Sequence, residues 1–211
     1  MTTDEQAPDP RDWRASPVIV LVRHGETEWS RTGRHTGRTD VPLTDHGRAE
    51  AGLVADALRG RTFADVLSSP LSRARDTCEL AGLGEAAEID ADLVEWDYGV
   101  YEGVATAEVR QTVPDWSVWA HPIIDGESVE EVGQRADRVI ARAADVDGDV
   151  ALFAHGQFLR ILAARWMGLP ADAGRLLALD TATTSTLGHE RETRVIRHWN
   201  ERCGPPSGVE S

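Results

Sequence analysis

Lysine is missing from all 211 residues, so the fixed positive charge is arginine alone. The 22 arginines face 36 aspartates and glutamates, for a formal net charge of −14. A surface this acidic argues against nucleic acid as substrate or partner. Any anion pocket must then be locally positive against an unfavourable background field. Cysteine is scarce: Cys78 and Cys203 are too few for a disulfide framework. No apolar run is long enough to cross a bilayer, so no membrane partner is expected. Residues 1–17 are acidic and contain proline without an apolar centre, unlike a signal or transit peptide. They are expected to form a disordered arm, and residues 201–211 a flexible tail. Residues 18–200 are long enough for one domain with a sizeable core and show no internal repeat. A cytoplasmic location is expected. No pair of histidines or carboxylates has metal-ligand spacing, so neither a metal nor a cofactor is expected.

What is present is a set of apolar runs that each end in a cationic or titratable residue. Val18-Ile19-Val20-Leu21-Val22 does not alternate with polar residues and reads as a strand buried on both faces, as in a parallel sheet. It ends in Arg23-His24-Gly25-Glu26, where open α/β sheets place their ligands. A second run, Phe63 to Ser68, leads into Ser69-Pro70, an expected N-cap and first helical position, which puts Arg73 on a helix's opening turn. A third, Asp149 to Ala154, ends in His155-Gly156-Gln157 ahead of a helix over Phe158 to Met167. The loop Leu93 to Gly103 supplies Glu95. Thr44 is the expected cap of a helix to about Arg59, with Ala49, Leu53, Ala57 and Leu58 on its apolar side. Ser128 and Glu131 have capping-box spacing ahead of a helix through Ala143, with Val129, Val132, Ala136, Val139 and Ile140 on its core face. Leu176 to Leu179, Thr183 to Gly188 and Arg194 to Trp199 read as strands. The expected fold is a three-layer α/β/α sandwich around a mostly parallel sheet.

Arg23-His24-Gly25-Glu26-Thr27, Trp29, Gly37-Arg38-Thr39-Asp40-Val41-Pro42-Leu43-Thr44, Ser69 to Thr77, Glu95 with Tyr98-Gly99, Gly126-Glu127-Ser128 and His155-Gly156 follow one another in order. With these motifs the chain resembles the histidine phosphatase superfamily, the phosphoglycerate mutase-like proteins, from about Val18 to Trp199. The resemblance implies catalysis by His24, Arg23, Arg73, Glu95 and His155, with His24 the nucleophile that forms a phosphohistidine. Arginine forks suit phosphoryl oxygens better than point charges do. His24 must present a neutral ring nitrogen, its other nitrogen donating to a backbone carbonyl. By the same resemblance His155 donates to the phosphoryl oxygens as a cation, and Glu95 protonates the leaving alcohol and then activates water. Bound phosphate beside Glu95 favours its acid form, so turnover is expected to be better at mildly acidic than at alkaline pH.

The expected substrate contacts are Arg23, Ser30, Thr36, Gly37, Arg73, Tyr98, Gly156 and Gln157. Ser30, Thr36 and Gln157 stand where relatives often carry other residues, which leaves substrate identity open. His35 reads as a rim residue; His46, His121, His189 and His198 read as surface or structural. A mutase needs a basic lid, but Val104 to Asp125 holds Arg110 as its one cation and includes Trp116 and Trp119. A phosphatase acting on a small phosphorylated metabolite is therefore favoured. The pattern is similar both to acid phosphatases and to a sugar bisphosphatase branch acting on sedoheptulose bisphosphate. The latter needs a second basic cluster, for which Arg31, Arg34, Arg38 and Arg110 are candidates. Phosphoglycerate mutase and a non-catalytic phosphate-binding regulatory module rank below these, and the resemblance suggests a homodimer.

Overall fold

The strand β1 (Ile19–Arg23) shows why the sheet needs cover on both sides. Ile19 and Leu21 belong to one apolar cluster, Val18, Val20 and Val22 to another, and each is at most 7% exposed. The alternation follows from side chains of a strand pointing to opposite faces. The computed structural model describes residues 16–204; most of the expected arm and tail lies outside the described residues. After β1 come α1 (Glu28–Thr32), α2 (Asp45–Ala57), β2 (Asp65–Ser68), α3 (Ser72–Leu80), β3 (Ala87–Ile89) and α4 (Thr106–Val109). Then follow α5 (Val129–Ala144), β4 (Val150–Ala154), α6 (Gly156–Trp166), β5 (Thr183–Glu190) and β6 (Thr193–Arg202). β6 runs to Arg202, into the segment expected as tail.

The six strands form one sheet in the order β3-β2-β4-β1-β5-β6. β3, β2, β4 and β1 pair in parallel, while β5 and β6 add an antiparallel edge. α5 and α6 cover one face with Val132, Val139, Phe158 and Leu162; α2 and α3 cover the other with Val54 and Cys78. This is the expected three-layer sandwich. The capping box at Ser128 and Glu131 forms as predicted, as does the Thr44 cap, whose side chain accepts from Gly47 N at 3.0 Å.

Three local expectations are corrected. The buried stripe of α2 is Gly47, Ala51 and Val54, with Leu58 just beyond; Ala49, Leu53 and Ala57 are exposed. Gly47 sits there because a Cβ would lie 2.0 Å from the Glu26 carbonyl oxygen, so only glycine lets the helix approach the loop after β1. Ser69 does not cap α3. The helix starts later, at Ser72, whose backbone N–H donates to Asp40 Oδ1 at 2.9 Å. Leu176 to Leu179 is no strand: Leu176 closes a short 3-10 turn and the chain then runs outside the sheet to β5.

Candidate active site

Register places the site. Arg23 lies level with Ala154, and Ser68 with Phe153, so β1, β4 and β2 end together at one edge. The residues that follow them, His24, His155 and Ser69, therefore meet in the crevice at the carboxyl ends of the parallel strands.

His24 is 4% exposed, and its Nδ1 lies 2.7 Å from its neighbour's carbonyl, Gly25 O. A carbonyl only accepts, so Nδ1 carries the proton and Nε2 keeps its lone pair. Burial, then the charges of Arg73 and Arg23, hold the imidazole well below the usual histidine range. The His155 ring stands 5.2 Å from the His24 ring, centroid to centroid.

His155 is fully buried between two partners. Arg73 Nε donates to its Nδ1 at 3.1 Å, and its Nε2 lies 2.8 Å from Ser69 Oγ. The tautomer follows: Nδ1 accepts, so Nε2–H donates to Ser69. Burial first, then Arg73, depresses its proton affinity well below the ordinary value. In the site without phosphate the Arg73 N–H occupies the lone pair that a cationic His155 would protonate, which favours the neutral ring; the expected cation concerns the phosphate-bound site.

Arg73, also fully buried, donates to the carbonyls of Thr39, Thr36 and Gly37 at 2.9, 3.2 and 2.8 Å. It fixes the 36–39 turn against the site. Gly37 holds that turn in two ways. Its N–H donates to Glu102 Oε1 at 2.8 Å, and a Cβ would lie 2.5 Å from Trp96 O. Arg23 donates NH1 to Leu179 O, while its buried Nε has no partner among the described residues. A buried donor without an acceptor costs about 1–3 kcal/mol, so this nitrogen is poised for an anionic oxygen. Gly156 permits that placement, since a Cβ there would stand 3.2 Å from Arg23 Nε.

Glu95 accepts from the backbone N–H groups of Trp96 and Phe158 on Oε1, at 2.9 and 2.8 Å, and of Gln157 on Oε2 at 3.0 Å. It thereby caps α6, placing a carboxylate at the positive end of the helix. Oε2 holds one bond fewer and is the oxygen with room for a proton. Tyr98, 3% exposed, shares the pocket; burial pushes its phenol well above the usual range.

The rim differs from expectation in several places. The Ser30 hydroxyl is engaged in the α1 capping box, accepting from Thr27 N at 2.9 Å and donating to Thr27 O at 3.0 Å. Thr36 Oγ1 donates to Arg34 O at 3.1 Å, though Thr36 still lines the cavity. Gln157 Oε1 accepts from Arg160 NH1 at 2.6 Å. His35 is a rim residue, its ring tilted against that of Tyr98 with the centroids 4.7 Å apart. Of the candidates for a second basic cluster, Arg31 pairs with Glu28, Arg38 with Asp97, and Arg110 donates to Trp116 O. Arg34 alone of the four lines the cavity. Arg160, which the sequence reading does not single out, lines it as well. Its position four residues past Gly156, one turn into α6, is the signal that could have found it. Trp116 is core, 1% exposed, and Trp119 is the platform under Arg160, 4.9 Å from guanidinium to ring centre.

Among the described residues, no three of His, Cys, Asp and Glu are grouped as a metal site, and no helix is long and apolar enough to cross a membrane. A buried, neutral imidazole with a free lone pair, ringed by guanidinium groups and faced by a carboxylate, can hold a tetrahedral dianion and attack it in line.

Residues 19–202 match the Histidine phosphatase superfamily (branch 1). The chain is 44% identical over 182 residues to an acid phosphatase of Mycobacterium tuberculosis, covering 84% of this chain and 89% of that protein. It is 33% identical over 186 residues to sedoheptulose 1,7-bisphosphatase of Saccharomyces cerevisiae, covering 73% and 69%. The solved structure of open reading frame Rv3214 from Mycobacterium tuberculosis superposes with a TM-score of 0.84 at 40% identity, covering 89% of this chain and 99% of that one. The family match, over residues 19–202, spans the strands that carry the histidine and arginine cluster, and the chain belongs to the histidine phosphatase superfamily as a phosphoric monoester hydrolase.

Proposed function

We propose that the enzyme hydrolyses phosphomonoesters through a phosphohistidine on His24, as a broad-specificity acid phosphatase of the cytoplasm acting on small phosphorylated metabolites. The observation that carries this reading is the 2.7 Å contact of His24 Nδ1 with Gly25 O, which frees Nε2 as the nucleophile. Nε2 attacks phosphorus while Arg23, Arg73 and His155 hold the non-bridging oxygens. The leaving alkoxide takes a proton from Glu95 Oε2. The same carboxylate then removes a proton from water, which attacks phosphorus and releases His24. Burial, then the charges of Arg73 and Arg23, oppose protonation of His24, which favours its nucleophilic form and suits an acid phosphatase.

Hydrolysis rather than mutase chemistry is supported by the lid. Its one cation, Arg110, donates Nε to Trp116 O at 2.9 Å and is folded onto the lid itself. The similarity to an acid phosphatase, at 44% identity, points the same way. The homodimer implied by family resemblance belongs to this reading and is read directly by sedimentation.

The test is phosphate release from p-nitrophenyl phosphate, 3-phosphoglycerate, and sedoheptulose and fructose bisphosphates, from acidic to neutral pH. Broad turnover is expected. Absence of phosphate release together with isomerisation of 3-phosphoglycerate would overturn it in favour of a mutase.

A further inference from the structure

The peptide that joins His24 to Gly25 is pinned along both edges, by groups that the steps at phosphorus do not use. Its carbonyl, His24 O, accepts from Ala182 N at 3.1 Å, and its N–H, on Gly25, donates to Thr77 Oγ1 at 3.1 Å. A peptide is planar, so partners on opposite edges fix the tilt of the whole plane. Ala182 reaches its partner from a left-handed backbone at φ 49°, which is costly for an alanine. The other pin is a side chain, and Thr77 is fully buried in α3.

The next carbonyl along, Gly25 O, holds the His24 Nδ1 proton at 2.7 Å. Where it points depends on rotation about Gly25, which has no side chain to restrict it. No other residue could supply that restraint in place, since a Cβ on Gly25 would lie 2.2 Å from Gly47 O. The restraint comes from outside. Thr77 Oγ1 donates its own proton to Arg73 O at 2.7 Å, which turns a lone pair toward the Gly25 N–H. One hydroxyl thus ties the loop bearing the nucleophile to the helical turn bearing Arg73.

We propose that Thr77 is a positioning residue for the nucleophile: its hydroxyl holds Gly25 so that the Gly25 carbonyl keeps the His24 Nδ1 proton and Nε2 stays aimed at phosphorus. This rests on the reading of His24 as nucleophile given above.

The test compares full-length wild type with Thr77→Val, which keeps the side chain's shape and removes the hydroxyl, and Thr77→Ser, which keeps the hydroxyl. Rapid-quench labelling with a 32P-monoester reads the rate of phosphoenzyme formation. Thr77→Val should slow it about 10–100-fold, as a small misplacement of a reacting atom does. Competitive inhibition by inorganic phosphate should stay within about twofold of wild type, because Arg23 and Arg73 keep their guanidinium groups. Thr77→Ser should restore most of the rate. In spectra of 15N-histidine-labelled protein, His24 should be protonated at Nδ1 in wild type and Thr77→Ser, and mixed between tautomers in Thr77→Val. Should Thr77→Val not fold, Thr77→Ala replaces it in the same comparison with Thr77→Ser. Labelling of the hydroxyl-free variant at the wild-type rate overturns the proposal. So does a Thr77→Ser enzyme slowed as much as that variant, a loss of phosphate affinity as large as the loss of rate, or a wild-type His24 protonated at Nε2. Hydrolysis by wild type without label on His24 removes the nucleophile reading itself, whereas equal labelling of His24 with and without the hydroxyl removes only the part given to Thr77.

Discussion

Arg73 donates its Nε–H to Nδ1 of His155 at 3.1 Å, between two wholly buried side chains. A phosphate dianion entering beside them offers oxygens to the guanidinium and to the imidazole alike. The imidazole can donate from Nδ1 only after gaining a proton there, and the dianion's charge favours that gain. Inorganic phosphate or vanadate should therefore bind with uptake of about one proton. Calorimetry in buffers of different ionisation enthalpy reads the uptake, and His155→Gln should abolish it. Binding without proton exchange from pH 6 to 8 would contradict the pairing.

Acid should weaken the fold. His24 and His155 both hold their protons less tightly folded than the ordinary value of 6.5, chiefly through burial. Below that pH the unfolded chain binds more protons, so their stability contribution is full above about 6.5 and declines as pH falls toward the lowered folded values. Each group contributes a slope of at most about 1.4 kcal/mol per pH unit in that window. Urea unfolding between pH 5 and 8 should show the decline, and His155→Gln should flatten it. Stability rising toward acid would contradict the neutral assignments.

The acid loop is held from behind. Arg135 of α5, 7% exposed, takes both oxygens of Glu127 at 2.8 Å and donates to the carbonyls of Asp92 and Val94 at 2.7 and 2.9 Å. Glu127 in turn accepts from Asp97 N at 3.0 Å, so the clamp closes around Glu95. Removing one partner of a buried pair costs about 3–5 kcal/mol. Arg135→Leu should lose stability of that order in urea melts and lower kcat more than it raises KM. A fully active Arg135→Leu enzyme would show that Glu95 does not depend on the clamp.

Core packing sets a comparison for these effects. Leu152 of β4 is fully buried beneath the site. Leu152→Ala should cost about 2–5 kcal/mol of stability, read by denaturant midpoint, while KM of the surviving folded enzyme stays close to wild type. A collapse of substrate affinity would tie the site's geometry to that packing.

The fold was legible wherever local pattern and tertiary context agree. Unbroken apolar runs gave β1 and β4 because both their faces are covered, and the Ser128–Glu131 box needed no distant partner. What failed was set by contacts remote in sequence. The start of α3 is fixed by Asp40 from another loop, so Ser69 was free to pair with His155. The buried side of α2 is hidden from sequence because Gly47 and Ala51, which lie on it, are small residues with little hydropathic signal, Gly47 being set by its close approach to the Glu26 backbone. In the site, residues on strand ends were legible as a cluster. Arg160 and the Arg135 clamp were not, since an arginine's choice between a surface carboxylate and a buried carbonyl depends on which helix face packs inward. The neutral state of His155 required the Arg73 contact, which links residues 82 positions apart.

The central claim is that His24 Nε2 attacks phosphorus, and one measurement meets it directly. Enzyme mixed with a 32P-labelled monoester is quenched in alkali, where phosphohistidine survives, beside His24→Ala and with circular dichroism to establish that the variant is folded. Wild type should carry label at His24, and folded His24→Ala should carry none and release no phosphate. Label on another residue, or substantial turnover by the folded variant, would contradict the account.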